Sequence, residues 1–320
     1  MSENNTCYDV YEEKIREICS DYPDIPEKIT FGSSYLGREI SALRLGEGTH
    51  RILYIGGVTG ALMTTELLLR FASDYADAVK NGRRICGIDI SYLFHTREIT
   101  VVPLLNPDGA ILREGNGDPM NPLIGQLTER MRTRNPLFSN EGSGSSGEER
   151  TVRPKSAVPD FSTWECSGRG VDLRCNYDAQ FDLCMQNGFS VGEAGYPGVR
   201  PESEPECAAV ARFLRSAGGI DLGMQFLDGK PGERHGKIAW NPRGGTEYRT
   251  RTIAEILAGN CGYRLDETPV PGSLKDWYRG RNAGPFFEIT CVREREEVSQ
   301  AFLALRYGQL QKLLFHSAVL

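Results

Sequence analysis

The sequence predicts one α/β domain over residues 1–320, and three observations carry that expectation. Short apolar runs of strand length alternate with longer segments whose apolar residues recur every three to four positions. The apolar runs end in glycine pairs or in Asn-Pro-Asp-Gly, the punctuation expected where a strand gives way to a turn. A chain of 320 residues, 39% hydrophobic and 25% charged, has the composition of an ordinary globular protein and the length to close a full core. A disordered, collagen-like or coiled-coil chain is excluded on the same numbers.

Taken in order, residues 8–20 space Tyr8, Tyr11, Ile15 and Ile18 at a helix period. Segments 28–33 and 39–45 read as two strands around the turn Leu36-Gly37-Arg38. Arg51–Gly57 is a short apolar run closed by two glycines, as in a buried strand. A helix follows over 63–80, with Thr64 or Thr65 as its cap. His95 is expected to start the strand that runs through Thr100–Leu105 and ends in the turn Asn106-Pro107-Asp108-Gly109. Residues 139–159 are polar, Gly/Ser-rich and without periodicity, which predicts a mobile surface loop inside the domain. Residues 203–216 open with Ser203-x-x-Glu206, a capping-box pattern, with Pro205 in the first turn. Asp221–Leu227 and Lys237–Trp240 read as strands and 247–259 as a helix. Pro285–Thr290 is a strand with an acid in it, and 295–316 a final amphipathic helix.

The net charge of −6 argues against a nucleic-acid partner. No apolar run reaches the ~18 residues of a membrane span. The first twenty residues are acidic and helical in pattern, without the basic start and apolar core of a signal peptide. The nine cysteines are odd in number, widely spaced and without a C-x-x-C, so reduced thiols and a cytoplasmic location are expected.

Five segments then occur in an order that resembles the zinc carboxypeptidases of the M14 type. Tyr35-Leu36-Gly37-Arg38-Glu39-Ile40 is similar to their S-x-x-G-R-x-I hairpin. Gly56-Gly57-Val58-Thr59-Gly60-Ala61-Leu62-Met63-Thr64-Thr65-Glu66 is similar to G-G-x-H-G-x-E-W-x-T-T. Pro103-Leu104-Leu105-Asn106-Pro107-Asp108-Gly109 resembles P-x-x-N-P-D-G. Gly168-Arg169-Gly170-Val171-Asp172-Leu173-Arg174-Cys175-Asn176 resembles x-R-G-V-D-L-N-R-N, and Ser203-Glu204-Pro205-Glu206 the S-E-P-E helix start. Gly262-Tyr263-Arg264-Leu265, Lys275-Asp276-Trp277 and Phe287-Glu288-Ile289 extend the resemblance over nearly the whole chain, with the flavour of the bacterial branch that trims cell-wall peptides.

The resemblance implies a mixed central β-sheet covered by helices on both faces. It also implies one zinc held by an H-x-x-E segment and a later histidine, with a water in the fourth position. The metal acidifies that water and polarises the scissile carbonyl, and a glutamate takes the proton. An Asn-Arg pair grips the terminal carboxylate, and a tyrosine on a mobile loop closes over the substrate.

At those positions this chain differs. Thr59 stands at the first ligand position and Leu62 at the second; the third falls among Gln225, Phe226 and Leu227. Arg174 replaces the Asn of the grip and Cys175 its Arg, with Asn176 beside them. Pro269–Lys275 carries no tyrosine. Glu288 keeps the general-base position. A formal H-x-x-E does occur at His95-Thr96-Arg97-Glu98, and His235 would have to complete it. Cys175 reads either as a small buried apolar residue or as a nucleophile or ligand. Arg174 reads either as a salt-bridge residue or as an anion binder, and Glu288 either as an ion-paired acid or as a chemical group.

The expectation is a carboxypeptidase-like protein with no bound metal, zinc being the family's cofactor. It binds a peptide or small anion through Arg174 and Asn176 without hydrolysing it. Two alternatives stand beside it. One is an active metallocarboxypeptidase or cell-wall-peptide peptidase with an unrecognised metal site. The other is a scaffolding subunit whose cleft is filled by Leu62, Met63 and Phe286.

Overall fold

The computed structural model describes residues 6–115, 122–134, 161–216, 219–242, 247–281, 284–293 and 299–320; the 139–159 segment lies outside them. Their elements, in chain order, are α1 (Cys7–Asp21), β1 (Pro26–Ser33), β2 (Glu39–Leu45), β3 (His50–Ile55), α2 (Met63–Lys80), β4 (Arg84–Ile85), β5 (Ile88–Asp89), α3 (Ile90–Thr96), β6 (Arg97–Val102) and α4 (Pro107–Arg113). Then follow α5 (Pro122–Arg134), α6 (Phe181–Met185), α7 (Pro205–Arg215), β7 (Leu222–Pro231), β8 (Lys237–Ala239), α8 (Glu247–Cys261), β9 (Arg264–Asp266), α9 (Leu274–Arg281), β10 (Phe286–Arg293) and α10 (Gln300–Ser317).

Eight of the described strands form one sheet in the order β1-β2-β6-β3-β7-β10-β8-β9. Its centre, β6-β3-β7-β10, is parallel, and β1, β2 and β8 join antiparallel, so the sheet is mixed. Central strands are buried on both faces, which is why they read as unbroken apolar runs rather than as alternations. In β3, Ile52 and Tyr54 belong to one core and Leu53 and Ile55 to the other. The first core packs the sheet against α2, α8 and α10; Leu68, Phe71 and Tyr75 of α2 supply its helical stripe. The second packs it against α7 and α9 through Val210, Leu214, Leu274 and Trp277.

Several local expectations are corrected. His95 lies in the last turn of α3, not in a strand. Asn106-Pro107-Asp108-Gly109 starts α4: the Asn106 side chain accepts from Gly109 N–H at 2.9 Å, and Pro107 supplies a first helical residue that needs no donor. The capping box at Ser203 does not form, because Glu204 is the cap residue and Glu206 turns away to accept the Tyr35 N–H at 3.0 Å. Neither Thr64 nor Thr65 caps α2, whose cap residue is Leu62.

Asp108 joins α4 to the β1–β2 hairpin. Fully buried, it accepts from Ser34 Oγ at 2.8 Å, Leu36 N–H at 2.8 Å and Arg38 Nη1 at 2.7 Å. Asp108→Ala leaves these donors without an acceptor and is expected to cost about 3 kcal/mol. The check is a lower urea midpoint at unchanged m-value.

Candidate functional site

The end of β3 and the middles of β7 and β10 meet at the residues that the resemblance places at the ligand and general-base positions. Gln225 pairs with Ile55 on one side and with Glu288 on the other. Side chains alternate along a strand, so Ile55, Gln225, Leu227, Glu288 and Thr290 share the face that packs toward α7 and α9. After β3, the chain turns through Gly57 at φ +59, where an added Cβ would sit 2.6 Å from Leu104 Cδ1. The turn delivers Thr59, which is buried, and Leu62, which is half-buried against the α2 core.

These side chains do not make a zinc site. Leu62 has no donor atom, Thr59 offers only a hydroxyl, and the third position offers an amide or hydrocarbon. Gln225 is buried, and both its Oε1 and Nε2 lack a hydrogen-bond partner among the described residues. Among the described residues, no three His, Cys, Asp or Glu side chains converge as a metal set. His95 is exposed, with Nδ1 2.7 Å from Glu47, and Glu98 is turned to Arg51. His95 precedes β6, at the edge where the central parallel strands begin, whereas exposed His235 follows β7, at the edge where they end. The sheet separates them, so His95, Glu98 and His235 do not form a set.

Glu288 is buried beside α9. Burial pushes its carboxyl up to about 7, against the pull of Lys275; Asp276 adds to the rise, and Arg174 opposes it. Fully buried Lys275 donates to Thr268 O at 3.1 Å and to Asp276 at 3.0 Å. Glu288, which the resemblance places at a general-base position, is therefore buried with its pKa raised toward neutrality.

The grip positions are tied into the fold. Residues 173–175 form a single 3₁₀ turn capped by Asp172, which accepts the Arg174 N–H at 2.9 Å. The Arg174 guanidinium donates to both Asp172 oxygens, at 2.9 and 2.8 Å, and to Glu165 at 2.8 Å. Burial opposes its charge, yet these two carboxylates hold its pKa above the ordinary arginine value. An incoming anion has to compete with two carboxylates already in place. The Cys175 thiol is 3.4 Å from Asp172 O, and burial followed by the Asp172 charge raises its pKa far above the ordinary thiol value, opposite to what a nucleophile needs. Asn176 donates to Pro197 O at 2.7 Å and Arg200 O at 3.1 Å and accepts from Glu204 N–H at 3.1 Å, clamping the 197–204 segment. Gly272, at φ +75, lets the 269–273 loop close on this turn: an added Cβ would lie 2.2 Å from Cys175 O.

Leu62, Met63 and Phe286 do not fill one cleft. Phe286 lies over Gly223 in the α7/α9 core, whereas Leu62 and Met63 belong with the α2 core and line an open pocket of about 360 Å³. Asp228, which sequence reasoning passed over, and Asp172 organise the region. Asp228, an acid at the end of an apolar strand, accepts from Thr64 Oγ1 at 2.8 Å and from Thr64 N–H at 3.3 Å. It thus joins the end of β7 to the start of α2. Asp172, an acid inside Val171–Leu173, orients Arg174. The sequence signal for both is the same, a carboxylate interrupting apolar residues.

A family profile of the M14 peptidases, described as zinc carboxypeptidase, matches residues 11–230. The chain belongs to the zinc carboxypeptidase family. A gamma-D-glutamyl-L-diamino acid endopeptidase 1 from Lysinibacillus sphaericus is 27% identical over 280 residues, covering 86% of this chain and 63% of that protein. This member of the family thus spans less than two thirds of that relative. Carboxypeptidase A2 of Rattus norvegicus is 24% identical over 225 residues, 68% of this chain and 42% of the relative. Among solved structures, bovine thrombin-activatable fibrinolysis inhibitor, in complex with a tick carboxypeptidase inhibitor, superposes at a TM-score of 0.67 with 16% identity, over 99% of this chain and 97% of that one. Carboxypeptidase A of Helicoverpa armigera gives 0.66 with 14% identity, over 98% and 73%. The described residues therefore share the carboxypeptidase fold. Among the described residues, no helix is long and apolar enough to cross a membrane.

Proposed function

We propose that this zinc carboxypeptidase family member binds peptides or small anions without hydrolysing them by the zinc mechanism. The observation that carries this reading is the donor set: Thr59, Leu62 and the 225–227 segment stand where the family's metal ligands belong. Without a Lewis acid, Glu288 has no activated water to deprotonate, and the developing oxyanion has no counter-charge. Arg174 is matched by Asp172 and Glu165, so a ligand carboxylate would not find the grip that an Arg in place of Cys175 would give. The relationship to a γ-D-glutamyl-diamino acid endopeptidase favours a short cell-wall-type peptide as the ligand. A reducing, cytoplasmic location is supported by the nine cysteines, each of which is a free thiol.

The test is hydrolysis of a γ-D-glutamyl-diamino acid peptide and of C-terminal dipeptides, with and without added zinc, beside a thermal-shift titration of the same peptides. The expected result is a melting shift with a peptide and no turnover above the Glu288→Gln background. The retained acid at position 288 is what the active-enzyme reading has in its favour. Zinc-dependent turnover abolished by Glu288→Gln would establish that reading instead.

A further inference from the structure

Two thiols meet beside the altered grip. Cys175 ends the 3₁₀ turn at 173–175, Cys184 lies in α6, and a hydrogen bond joins their side chains. Each sulfur also rests on a backbone carbonyl: Cys175 Sγ is 3.4 Å from Asp172 O, and Cys184 Sγ is 3.5 Å from Pro271 O. Both residues are buried. Between them, Gln180 stands at φ +50, in the left-handed region that a residue with a Cβ rarely adopts, and there it redirects the chain into α6. The 269–273 loop braces the same stretch: Tyr177 N–H donates to Gly272 O at 2.9 Å, and Gly272 N–H donates to Ala179 O at 2.6 Å.

Both cysteines are free thiols, so the pair is a reduced dithiol. The bond between them opposes ionisation of Cys175 and favours that of Cys184, which means that the Cys175 S–H donates to the Cys184 sulfur. Cys184 is thus the first to react. Its neighbours on α6, Leu183 and Met185, are exposed, so a small solute reaches the helix. Burial raises both pKa values, which keeps the thiolate scarce and the reaction slow. Cys166 supplies a contrast. It is nine positions from Cys175, as Cys184 is, yet its sulfur rests on Glu193 O at 3.5 Å.

We infer that Cys175 and Cys184 form a modification site, a dithiol that a small peroxide closes to a disulfide. The Cys184 thiol loses its proton and its sulfur attacks one peroxide oxygen. The O–O bond breaks, and the departing hydroxide takes the proton to become water, leaving a sulfenic acid on Cys184. The Cys175 sulfur then attacks the Cys184 sulfur. The S–O bond breaks, and the hydroxide leaves with the Cys175 proton as a second water. Two thiols have given up two electrons, and the peroxide has become two waters. The disulfide ties the turn that carries Arg174 to α6. The inference is independent of whether the protein binds a peptide.

The test treats the full chain with hydrogen peroxide for several hours, quenches with catalase, and blocks the remaining thiols with N-ethylmaleimide in guanidinium. Peptide mass mapping then locates any cross-link. The native protein is expected to give the Cys175–Cys184 link in at least tenfold excess over Cys166–Cys175, with both thiols returned by dithiothreitol. The same treatment of the guanidinium-unfolded chain should give the two links in comparable amounts, because the two rings are equal in length and close at a similar entropic cost. The oxidised protein should melt higher than the reduced one, and Cys184→Ser should remove both the link and the melting difference. If that variant fails to fold, the native-to-unfolded comparison on the wild type still decides. Equal yields of the two links in the native protein would overturn the inference. So would a peroxide treatment that oxidises the exposed Cys86 while Cys175 and Cys184 both take up N-ethylmaleimide in full.

Discussion

Asp172→Ala is expected to destabilise the protein by about 3–5 kcal/mol, the usual consequence of removing one partner from a buried charge network. Asp172 is 4% exposed on its side chain and makes several connections at once. It accepts the Arg174 N–H that starts the 3₁₀ turn, holds the guanidinium through two bonds, and accepts the Gly195 N–H at 2.7 Å. Alanine leaves Arg174 with Glu165 alone and removes the side-chain acceptor of the Gly195 N–H. Asp172→Asn retains acceptor oxygen but loses the charge, so an intermediate loss is expected. Urea unfolding of both variants checks the order. Equal stability of wild type and Asp172→Ala would mean that Arg174 is not held as described and is available to a ligand.

Stability is expected to fall as pH rises from about 5 to about 8, the reverse of a protein stabilised by ionised carboxylates. Four buried acids have folded pKa values above their ordinary ones; Glu204 is raised by burial, against its bond from Ser167. Glu206 is pushed up to about 8, by burial first and the Asp108 charge in addition; Glu288 to about 7; and Asp228 to about 6, by burial against its bonds to Thr64. The folded state therefore holds protons that the unfolded chain has released. Stability is greatest below the unfolded pKa values near 4 and is lost as pH climbs through the folded ones. Each such proton is worth about 1.4 kcal/mol per pH unit, so the total over this window is on the order of several kcal/mol. Asp9 and Asp266, whose pKa values are lowered chiefly by hydrogen bonds from Thr6 and Thr268, act in the opposite direction but only below their ordinary value of 3.8. Denaturant titrations at pH 5, 6, 7 and 8 test the slope. Glu206→Gln should flatten it most between pH 7 and 8, and a slope of the opposite sign would contradict the account.

The architecture was largely legible because its signals are local. Arg51–Gly57 and Pro285–Thr290 are apolar runs that a central parallel strand requires, and both are central strands. The order of the family segments was legible for the same reason, each being a short contiguous string. What was not legible depends on partners distant in the chain. Ser203-x-x-Glu206 has the form of a capping box, yet Glu206 is drawn off by Tyr35, 171 residues away. Asn106-Pro107-Asp108-Gly109 carries turn residues, and the same residues begin α4, since a cap asparagine and a proline suit either outcome. At the site, the identities at positions 59, 62, 174 and 175 were plain, but their surroundings were not. That Arg174 is matched by Asp172 and Glu165 follows from the 3₁₀ turn at 173–175, whereas an extended segment would have sent neighbouring side chains to opposite faces. The Asp228–Thr64 link spans 164 residues and had no signal beyond an acid at a strand end.

The claim that separates this chain from its catalytic relatives is that its ligand positions no longer hold zinc. Elemental analysis of the purified protein, after dialysis against excess zinc and then buffer, tests that claim directly. The donor set at Thr59, Leu62 and 225–227 predicts less than ~0.1 equivalent of zinc per chain. One equivalent, retained through the second dialysis, would contradict it.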